Sequence, residues 1–415
     1  LDADALGAAA GTLRGGGLLL LLGPPLEQWP DIEDAQAGRI AVHGYTPSDV
    51  VSGFIGRFAR LLRDSAAVRR YRETRPPARA ERPQMCLPTG TGVAVPNRQD
   101  AGGVAATPDQ QRAIEAICQL AHSRARRPLV LTADRGRGKS AALGIAAARL
   151  LREAPCRLIV TAPRRHATEA LFEHARLAGA DADDRLRFVP PDALLRERPA
   201  ADLLLVDEAA GIPAPLLAGL LEHYARICFA TTVHGYEGTG RGFEVRFRAV
   251  LDRRTPDWRG LRLETPIRWV QADPLERLID DALLLDAEPA PAAEIIVRLA
   301  ENGSAGIVCE CLDRDRLAAD DALLRQVFGL LVLGHYQTRP ADLRLMLDAP
   351  NIEVIVLRVA PRQPREPVPS AECDGSSGGQ SGASGTRGPI LATALVAAEG
   401  RLEADLTEPI FAGRR

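Results

Sequence analysis

The amino-acid sequence predicts an α/β protein built around a parallel sheet, and two observations support that prediction. Short apolar runs at 129–132, 158–160, 203–206 and 227–230 alternate with stretches of helical periodicity, as strands joined by crossover helices do. The first run leads directly into a glycine-rich loop, 133–140, which holds the only lysine of the chain. The sequence therefore predicts a phosphate-binding loop between a strand and a helix.

Length, composition and charge limit the class of protein. The chain has 415 residues, of which 46% are hydrophobic and 26% charged, as in globular proteins with two or three domains. Because the formal net charge is only −2, contact with a nucleic acid depends on local arginine clusters such as the one between Arg63 and Arg82. A solvated protein face explains that cluster equally well.

The cysteines and the apolar segments indicate a cytoplasmic protein without a membrane span. Seven scattered cysteines contain no CxxC pair, which is typical of reduced thiols, and Cys309 and Cys311 are expected to be buried. The leucine run 18–22 falls far short of the roughly 20 residues that cross a bilayer, so we expect a buried strand there. The chain begins with Leu1, so we expect a fragment of a longer protein.

Composition shifts divide the chain into three predicted domains. An N-terminal α/β domain occupies 1–95, a P-loop ATPase domain 105–290, and a third domain 303–415. A Pro-, Gly- and Arg-rich linker is expected within the break at 76–103, and a Ser- and Gly-rich surface loop at 372–388.

The phosphate-binding loop assigns separate tasks to its residues. Gly136 and Gly138 would let main-chain N–H groups converge on phosphate oxygens, Lys139 would reach the β- and γ-phosphates, and Ser140 would bind Mg²⁺. Ala133 stands where this pattern usually has its first glycine. A chance match in a loop is the alternative interpretation.

A second acidic element makes the nucleotide interpretation stronger. The apolar run 203–206 ends in Asp207 and Glu208. Asp207 would hold Mg²⁺ through water, and Glu208 would orient or deprotonate the attacking water. On its own, a strand that ends in a solvated acidic turn would look the same.

Three further features carry weaker signals. Gln110 lies in a helix that Thr107 is expected to cap, and it would contact an adenine edge or simply lie on the helix surface. Thr231-Thr232 follows the next strand and would sense the γ-phosphate or cap the strand end. Arg241 would place a guanidinium on the transferring phosphate or remain one of 51 arginines.

Several longer segments closely resemble the tRNA(Met) cytidine acetyltransferase family. The resemblance covers nearly the whole chain, and its most specific segment is the one that follows the strand at 227–230. The matching segments are Gly11–Gly17, Thr132–Ser140, Asp207–Pro213, Thr231–Phe243, Pro266–Trp269, Asp273–Glu276 and His335–Leu343.

The resemblance implies a fold and a set of ATP contacts. It implies an N-terminal α/β domain, a RecD-like P-loop ATPase with a parallel sheet, and the N-terminal part of a GNAT-like α+β domain. The implied ATP contacts are Gln110, Thr132, Ala133, Asp134, Arg135, Gly136, Arg137, Gly138, Lys139, Ser140, Ala141 and Arg241.

The resemblance also implies an activity with its cofactors. Members form N4-acetylcytidine at the wobble position of elongator tRNA(Met), using acetyl-CoA and ATP. The strand and glycine-rich turn that bind CoA in GNAT proteins would lie beyond Arg415, so the third domain is expected to be incomplete. The alternative is a nucleic-acid-stimulated RecD-like ATPase or helicase without acetyl transfer.

Overall fold

The structure is a computed structural model that describes most of the chain. The predicted linker at 76–103, most of the surface loop at 372–388 and part of the arginine cluster lie outside the described residues. The described ranges are 1–71, 105–123, 126–180, 184–233, 240–302, 306–334, 338–360, 388–399, 409 and 411–412, without the side chains of 240–246 and 302.

The chain divides into two compact units, each assembled from separate stretches of sequence. The first unit comprises Leu1–Ile32, Phe58–Asp286 and Val332–Asp342, and the second comprises Glu33–Arg57, Ala287–Leu331 and Leu343–Arg415. The three predicted domains stay a prediction.

Helices make up much of the described chain. In chain order they are α1 Ala3–Ala10, α2 Ala37–Ile40, α3 Gly53–Asp64, α4 Pro108–His122, α5 Lys139–Glu153, α6 Glu169–Leu177, α7 Pro191–Glu197, α8 Ala214–His223, α9 Gly240–Arg254, α10 Pro274–Leu283, α11 Ala292–Asn302, α12 Arg314–Ala319, α13 Asp321–Gly334 and α14 Pro340–Asp348. No helix in the described ranges is both long and apolar enough to cross a lipid bilayer.

A six-stranded sheet is the centre of the first unit. Its strands are β1 Leu129–Ala133, β2 Leu158–Thr161, β3 Leu186–Phe188, β4 Leu203–Val206, β5 Ile227–Thr232 and β6 Arg259–Leu263. All neighbours pair in parallel, in the order β3-β2-β4-β5-β1-β6. The predicted parallel α/β sheet is therefore confirmed, and the carboxyl ends of all its strands lie at one edge.

The strands are apolar on both faces because helices cover both faces. On one side, Leu131 of β1 and Leu205 of β4 pack with α4, α5 and α6. On the other, Val130 and Leu204 pack with α7, α8 and α9. Strands buried on both faces read as continuous apolar runs, which is why the sequence pattern located them well.

The N-terminus of α4 forms as its sequence predicts. The Thr107 hydroxyl accepts a hydrogen bond from the Gln110 N–H at 3.2 Å, and Pro108 occupies the first turn, where no N–H is needed. Ile114, Ile117 and Leu120 are buried on the face that meets the sheet. The cap therefore fixes the first turn of α4, in which Gln110 lies.

The expected strand at Leu18–Leu22 is wrong. The segment forms no regular element, and Leu18, Leu20 and Leu22 are 54%, 68% and 95% exposed. A strand needs a partner for its N–H and C=O groups. The described sheets provide this segment with none, so its apolar composition does not make it part of the core.

The second unit contains a three-stranded antiparallel sheet, β7 Ile307–Leu312, β8 Ile352–Val359 and β9 Ile390–Ala397, in that order. The sequence also predicts strands near 305–311 and 390–396 and a helix near 323–333, and all three are present. Cys309 and Cys311 share a face of β7, as alternation requires, but both are exposed, so the expected burial is wrong. β7 is an edge strand of this sheet, and the described residues do not cover the face on which Cys309 and Cys311 lie.

A buried ion network stabilises the second unit. Asp348 Oδ1 accepts the N–H of Phe54 at 2.8 Å, and Arg344 bonds both Asp348 and Asp34. Burial raises the pKa of Asp348 to about 6, although the Phe54 N–H and Arg344 act against that rise. Because the network joins residues far apart in sequence, local pattern reasoning does not find it.

Candidate nucleotide site

The phosphate-binding loop lies at the carboxyl edge of the six-stranded sheet. β1 ends at Ala133, and α5 begins at Lys139. Gly136 and Gly138 have φ of 78° and 79°, a left-handed conformation that side-chain-bearing residues rarely adopt. The two glycines therefore make the turn that the sequence predicts for them.

Both glycines also leave room for neighbouring side chains. A Cβ on Gly136 would lie 2.7 Å from the Trp269 ring, and one on Gly138 would lie 2.2 Å from Ile267 Cδ1 and 2.7 Å from Gln110 Nε2. The loop is thus enclosed by side chains from α4 and from the segment after β6. Glycine is required here for space as well as for backbone conformation.

The segment after β6, residues 264–276, holds the loop in place. The Ile267 N–H donates to the Gly136 carbonyl at 2.9 Å. Arg137 forms an ion pair with Glu276, and the Trp269 Nε1–H donates to Glu276 Oε2 at 2.9 Å. The Arg137 guanidinium also lies 5.9 Å from the centre of the Trp269 ring.

Arg137 therefore has a structural side chain. Besides Glu276, its guanidinium donates to the carbonyls of Arg135 at 2.7 Å and Glu264 at 3.3 Å, and the residue is 9% exposed. We expect any contact of Arg137 with a nucleotide to come from its main-chain N–H. Asp134, earlier in the loop, lies 3.7 Å from Arg262.

Asp109 attaches the start of this segment to α4. Its Oδ2 accepts the N–H groups of Glu264 at 2.7 Å and Thr265 at 2.9 Å. Burial alone would raise the pKa of Asp109, but these hydrogen bonds favour the ionised carboxylate and lower the pKa to about 2.

The charge state of Asp109 predicts a loss of stability in acid. A carboxyl whose folded pKa lies below its unfolded pKa stabilises the fold above about pH 4, and this contribution disappears as the pH falls towards about 2. Asp109→Asn should lose roughly 1–2 kcal/mol of unfolding free energy at neutral pH and should show a weaker dependence on pH between those values. Urea unfolding of both chains across that range measures it, and parallel pH profiles would contradict the assignment.

Gln110 lies beside the loop, as expected for a site residue, but both ends of its side-chain amide already form hydrogen bonds within the protein. Oε1 accepts the Ala106 N–H at 2.6 Å, and Nε2 donates to the Gly138 carbonyl at 3.1 Å. The side chain is buried. In this arrangement Gln110 positions the phosphate loop, and its contact with an adenine stays a prediction.

The acidic residues after β4 lie at the same sheet edge as the loop. Asp207 is fully buried, and Glu208 has φ of 46°, a left-handed conformation in a residue other than glycine. The Thr232 hydroxyl donates to Glu208 Oε2 at 3.5 Å. β5 lies between β4 and β1, and its Thr232 is opposite Ala133.

This arrangement brings together the groups that phosphoryl transfer to water requires. Lys139 is a cation that is 6% exposed at the start of α5, where the helix terminus adds partial positive charge. Ser140 and Asp207 are oxygen donors, the ligand type that Mg²⁺ prefers, and they fit that ion when nucleotide phosphates complete its shell. Among the described residues, no three His, Cys, Asp or Glu side chains are grouped to hold a metal ion without such a ligand.

Two predicted features lie partly outside the described residues. Arg241 falls within α9, but its side chain lies outside the described residues, as does the segment 234–239. Thr132, Ala133 and Ala141 lie on the strand and helix that flank the loop. The described structure therefore brings Gln110, the loop and the β4 carboxylates to one edge.

Sequence reasoning did not assign a role to Ile267, Trp269 and Glu276. Their only signal was that the two segments containing them recur in the resembled family. Nothing in local periodicity shows that a segment some 130 positions downstream packs against the loop. The tightly constrained glycines were the available hint, because they imply close neighbours.

Gly138 provides a test of this packing. Gly138→Ala should lower the unfolding free energy by about 1–3 kcal/mol and weaken nucleotide binding, since its Cβ meets Ile267 and Gln110 at a positive φ. Gly179→Ala is the matched control, because Gly179 has φ of 96° with nothing within 4 Å. Thermal unfolding and nucleotide titration distinguish the two, and equal effects would mean that backbone strain alone is responsible.

Comparison with known proteins connects this geometry to a family. Residues 1–73 match the family model "tRNA(Met) cytidine acetyltransferase TmcA, N-terminal", and residues 130–286 match "RNA cytidine acetyltransferase NAT10/TcmA, helicase domain". The second match contains both the phosphate loop and the β4 carboxylates.

Curated relatives extend the match to the whole chain. The chain is 46% identical to a tRNA(Met) cytidine acetyltransferase TmcA of Nitrosococcus halophilus and 37% identical to one of Haloferax volcanii. Each alignment covers 100% of this chain but 52% and 54% of the relative, so the chain spans about half the length of these proteins.

One solved structure adds only a distant likeness. A Bacteroides Pif1 bound to single-stranded DNA matches 50% of this chain and 58% of its own, at 13% identity and a TM-score of 0.28, which is too weak to support any argument. Together the two family models match more than half of this chain, and both relatives carry the same family name. The chain belongs to the tRNA(Met) cytidine acetyltransferase family.

Proposed function

We propose that this chain binds and hydrolyses ATP in support of the acetylation of cytidine in tRNA(Met). One observation carries the ATPase part: the phosphate loop and the Asp207-Glu208 pair lie at the same edge of one parallel sheet. The family supports the RNA part, because relatives aligned over the whole chain are named tRNA(Met) cytidine acetyltransferases.

Each residue of the site has a definite task in this proposal. Lys139 neutralises the β- and γ-phosphates, and Glu208 orients and deprotonates the attacking water. Ser140 and Asp207 would hold Mg²⁺ together with the nucleotide, and the ion would supply further positive charge for the phosphates. Water then attacks the γ-phosphorus, the bond to the β-phosphate oxygen breaks, and ADP leaves. Arg241 stabilises the charge that develops on the transferring group.

The acetylation step extends the proposal beyond this chain's described residues. The cytidine N4 amine attacks the thioester carbonyl of acetyl-CoA, the CoA thiolate leaves, and the amine proton passes to solvent or a base. The product is N4-acetylcytidine at the wobble position of elongator tRNA(Met), formed in the cytoplasm. ATP hydrolysis supplies the work of exposing a base that is otherwise stacked in the RNA.

Deleting the gene in its source organism tests the whole proposal with the protein as it exists. N4-acetylcytidine in purified tRNA(Met), measured by mass spectrometry of its nucleosides, should fall to background. The unaltered gene should restore it, whereas a gene encoding Lys139→Ala should not. Undiminished acetylcytidine in the deletion strain would overturn the acetylation proposal.

The alternative is a nucleic-acid-stimulated ATPase or helicase without acetyl transfer. It is favoured by one observation: every described residue of the nucleotide site belongs to the first compact unit. Strand-displacement activity of the purified chain, together with unchanged tRNA acetylation in the deletion strain, would establish this alternative instead.

A further inference from the structure

A cavity of about 270 Å³ lies beside the phosphate loop and takes no part in the chemistry proposed above. Its wall comes from three parts of the first unit: the segment Gly7–Gly17, the loop residues 134–137, and the segment Trp269–Asp286. It therefore adjoins the nucleotide site without containing Lys139, Ser140 or the β4 carboxylates. Its size suits a small organic molecule.

The lining combines flat and apolar surfaces with hydrogen-bonding groups. Leu13, Leu275 and Ile279 supply aliphatic surface, and Trp269 supplies an indole ring. Asp280 supplies a carboxyl group. Pockets of this kind, largely apolar with a few polar groups, bind ligands that have both faces and polar edges.

Several other carboxyl groups in the wall already form hydrogen bonds or ion pairs within the protein. Glu276 pairs with Arg137 and accepts from Trp269, and Asp273 caps α10 by accepting the N–H groups of Leu275 and Glu276. Asp134 lies 3.7 Å from Arg262. Asp280 also lines the cavity, and a ligand edge would meet its carboxyl group there.

Burial and neighbouring carboxylates keep Asp280 protonated near neutral pH. Burial is the largest cause, followed by the negative charges of Asp286, Glu276 and Asp134, with Arg137 acting in the opposite direction, and the pKa rises to about 8. Arg14 and Arg135 also line the cavity. A neutral carboxyl has one O–H donor and one carbonyl acceptor side by side.

We propose that this cavity receives an unpaired nucleobase of the RNA substrate, with Trp269 and the aliphatic walls against its faces and Asp280 against its edge. Cytosine and adenine present a ring nitrogen acceptor beside an exocyclic amino donor. The carboxyl O–H donates to that ring nitrogen, and the carbonyl accepts from the amino group. Uracil and guanine present a ring N–H beside a carbonyl oxygen, and the neutral carboxyl can pair with that edge too, because either of its oxygens can carry the proton.

The proposal rests on the RNA substrate of the proposed function, and it adds a second point of base contact outside the acetylation site. Because Asp134, Arg135 and Arg137 belong both to the cavity wall and to the phosphate loop, a base in the cavity is in direct contact with the ATPase loop. This placement would let the ATPase loop contact the RNA while ATP is bound.

Ligand-observed NMR on the purified full chain, with free nucleosides as probes, tests the proposal. Cytidine, adenosine, uridine and guanosine should receive saturation from the protein, whereas ribose 5-phosphate, which lacks a base, should not. Asp280→Asn keeps one donor beside one acceptor and should retain binding, while Asp280→Leu should weaken it roughly tenfold or more. Thermal unfolding checks that both variants are folded.

The pH dependence provides a second readout that a purely structural role would not produce. Cytidine binding should fall as the pH rises through about 8, since the ionised Asp280 loses its donor, and Asp280→Asn should remove that dependence. Cytidine binding that persists in Asp280→Leu, or saturation of ribose 5-phosphate as strong as that of the nucleosides, would overturn the proposal.

Two competition experiments separate the base from other occupants. A KM for ATP hydrolysis that saturating cytidine leaves unchanged supports a site distinct from the nucleotide site, whereas competition between cytidine and ATP for hydrolysis would mean that the cavity holds the adenine of ATP instead. Putrescine that binds where nucleosides do not would identify a cation site and overturn the proposal. ATP hydrolysis, measured separately on the same sample, distinguishes these outcomes from a failure of the proposed function.

Discussion

Replacing Lys139 with alanine is expected to reduce ATP hydrolysis by roughly 100-fold or more and to weaken nucleotide binding. In the proposed function this ammonium neutralises the terminal phosphates, and Lys139 is only 6% exposed, so little water screens its charge. Removing one group that stabilises developing charge costs about 100- to 1,000-fold in comparable enzymes. Phosphate release by the purified chain measures the effect.

Two further variants serve as controls for Lys139→Ala. Lys139→Arg should also be impaired, because a planar guanidinium does not replace a compact ammonium inside the loop. Arg152→Ala removes an exposed cation from the same helix and should leave hydrolysis unchanged. Equal loss in both alanine variants would point to damage to α5 and away from the phosphates.

Amine labelling gives an independent measurement. Since Lys139 is the only lysine, an amine-specific reagent modifies this side chain and the N-terminus alone. Peptide mass spectrometry separates the two sites. ATP with Mg²⁺ should slow the labelling of Lys139 without slowing that of the N-terminus, and unchanged labelling of Lys139 would contradict its contact with the phosphates.

The central sheet was predictable from sequence because its strands are buried on both faces. Leu129–Ala133 and Leu203–Val206 read as uninterrupted apolar runs, and each ends in residues with recognisable chemistry. A burial pattern of this kind leaves a direct signal in composition. The same reasoning placed the phosphate loop and the acidic pair each at the end of one of these strands.

The failures have an equally physical origin. The run at 18–22 is as apolar as a core strand but has no pairing partner in the described sheets, and composition does not reveal whether a partner exists. The contacts of Arg137 and Gln110 with the nucleotide stay predictions, but the sequence did not reveal that their side chains bond Glu276, Gly138 and other protein groups. Such long-range contacts depend on the assembled fold, and no local pattern records them.

The second large effect is expected at Glu208. Glu208→Gln should lower the rate of ATP hydrolysis by roughly 100- to 10,000-fold, since an amide cannot take the proton of the attacking water. ATP binding and the unfolding temperature should change little, because the amide keeps the shape of the side chain and can still accept from Thr232. Asp207→Asn, by contrast, should weaken binding of Mg²⁺ with ATP.

The backbone at Glu208 gives a structural reason to assign it this role. A left-handed conformation costs a residue with a Cβ about 1–2 kcal/mol, and glycine would relieve that cost at φ of 46°. Strain of this kind is concentrated at functional sites, where it aims a side chain. Glu208→Gly should therefore give a chain that unfolds at a higher temperature but hydrolyses ATP as slowly as Glu208→Gln.

Glu173→Gln is the matched control, because it neutralises an exposed glutamate on α6 and should leave turnover intact. If Glu208→Gln hydrolysed ATP at the unaltered rate while Asp207→Asn did not, the water would be activated by another group at the sheet edge. If both variants remained active, the sheet edge would bind the nucleotide without hydrolysing it through this pair. Only slow hydrolysis with intact binding in Glu208→Gln is consistent with a base at the tip of β4.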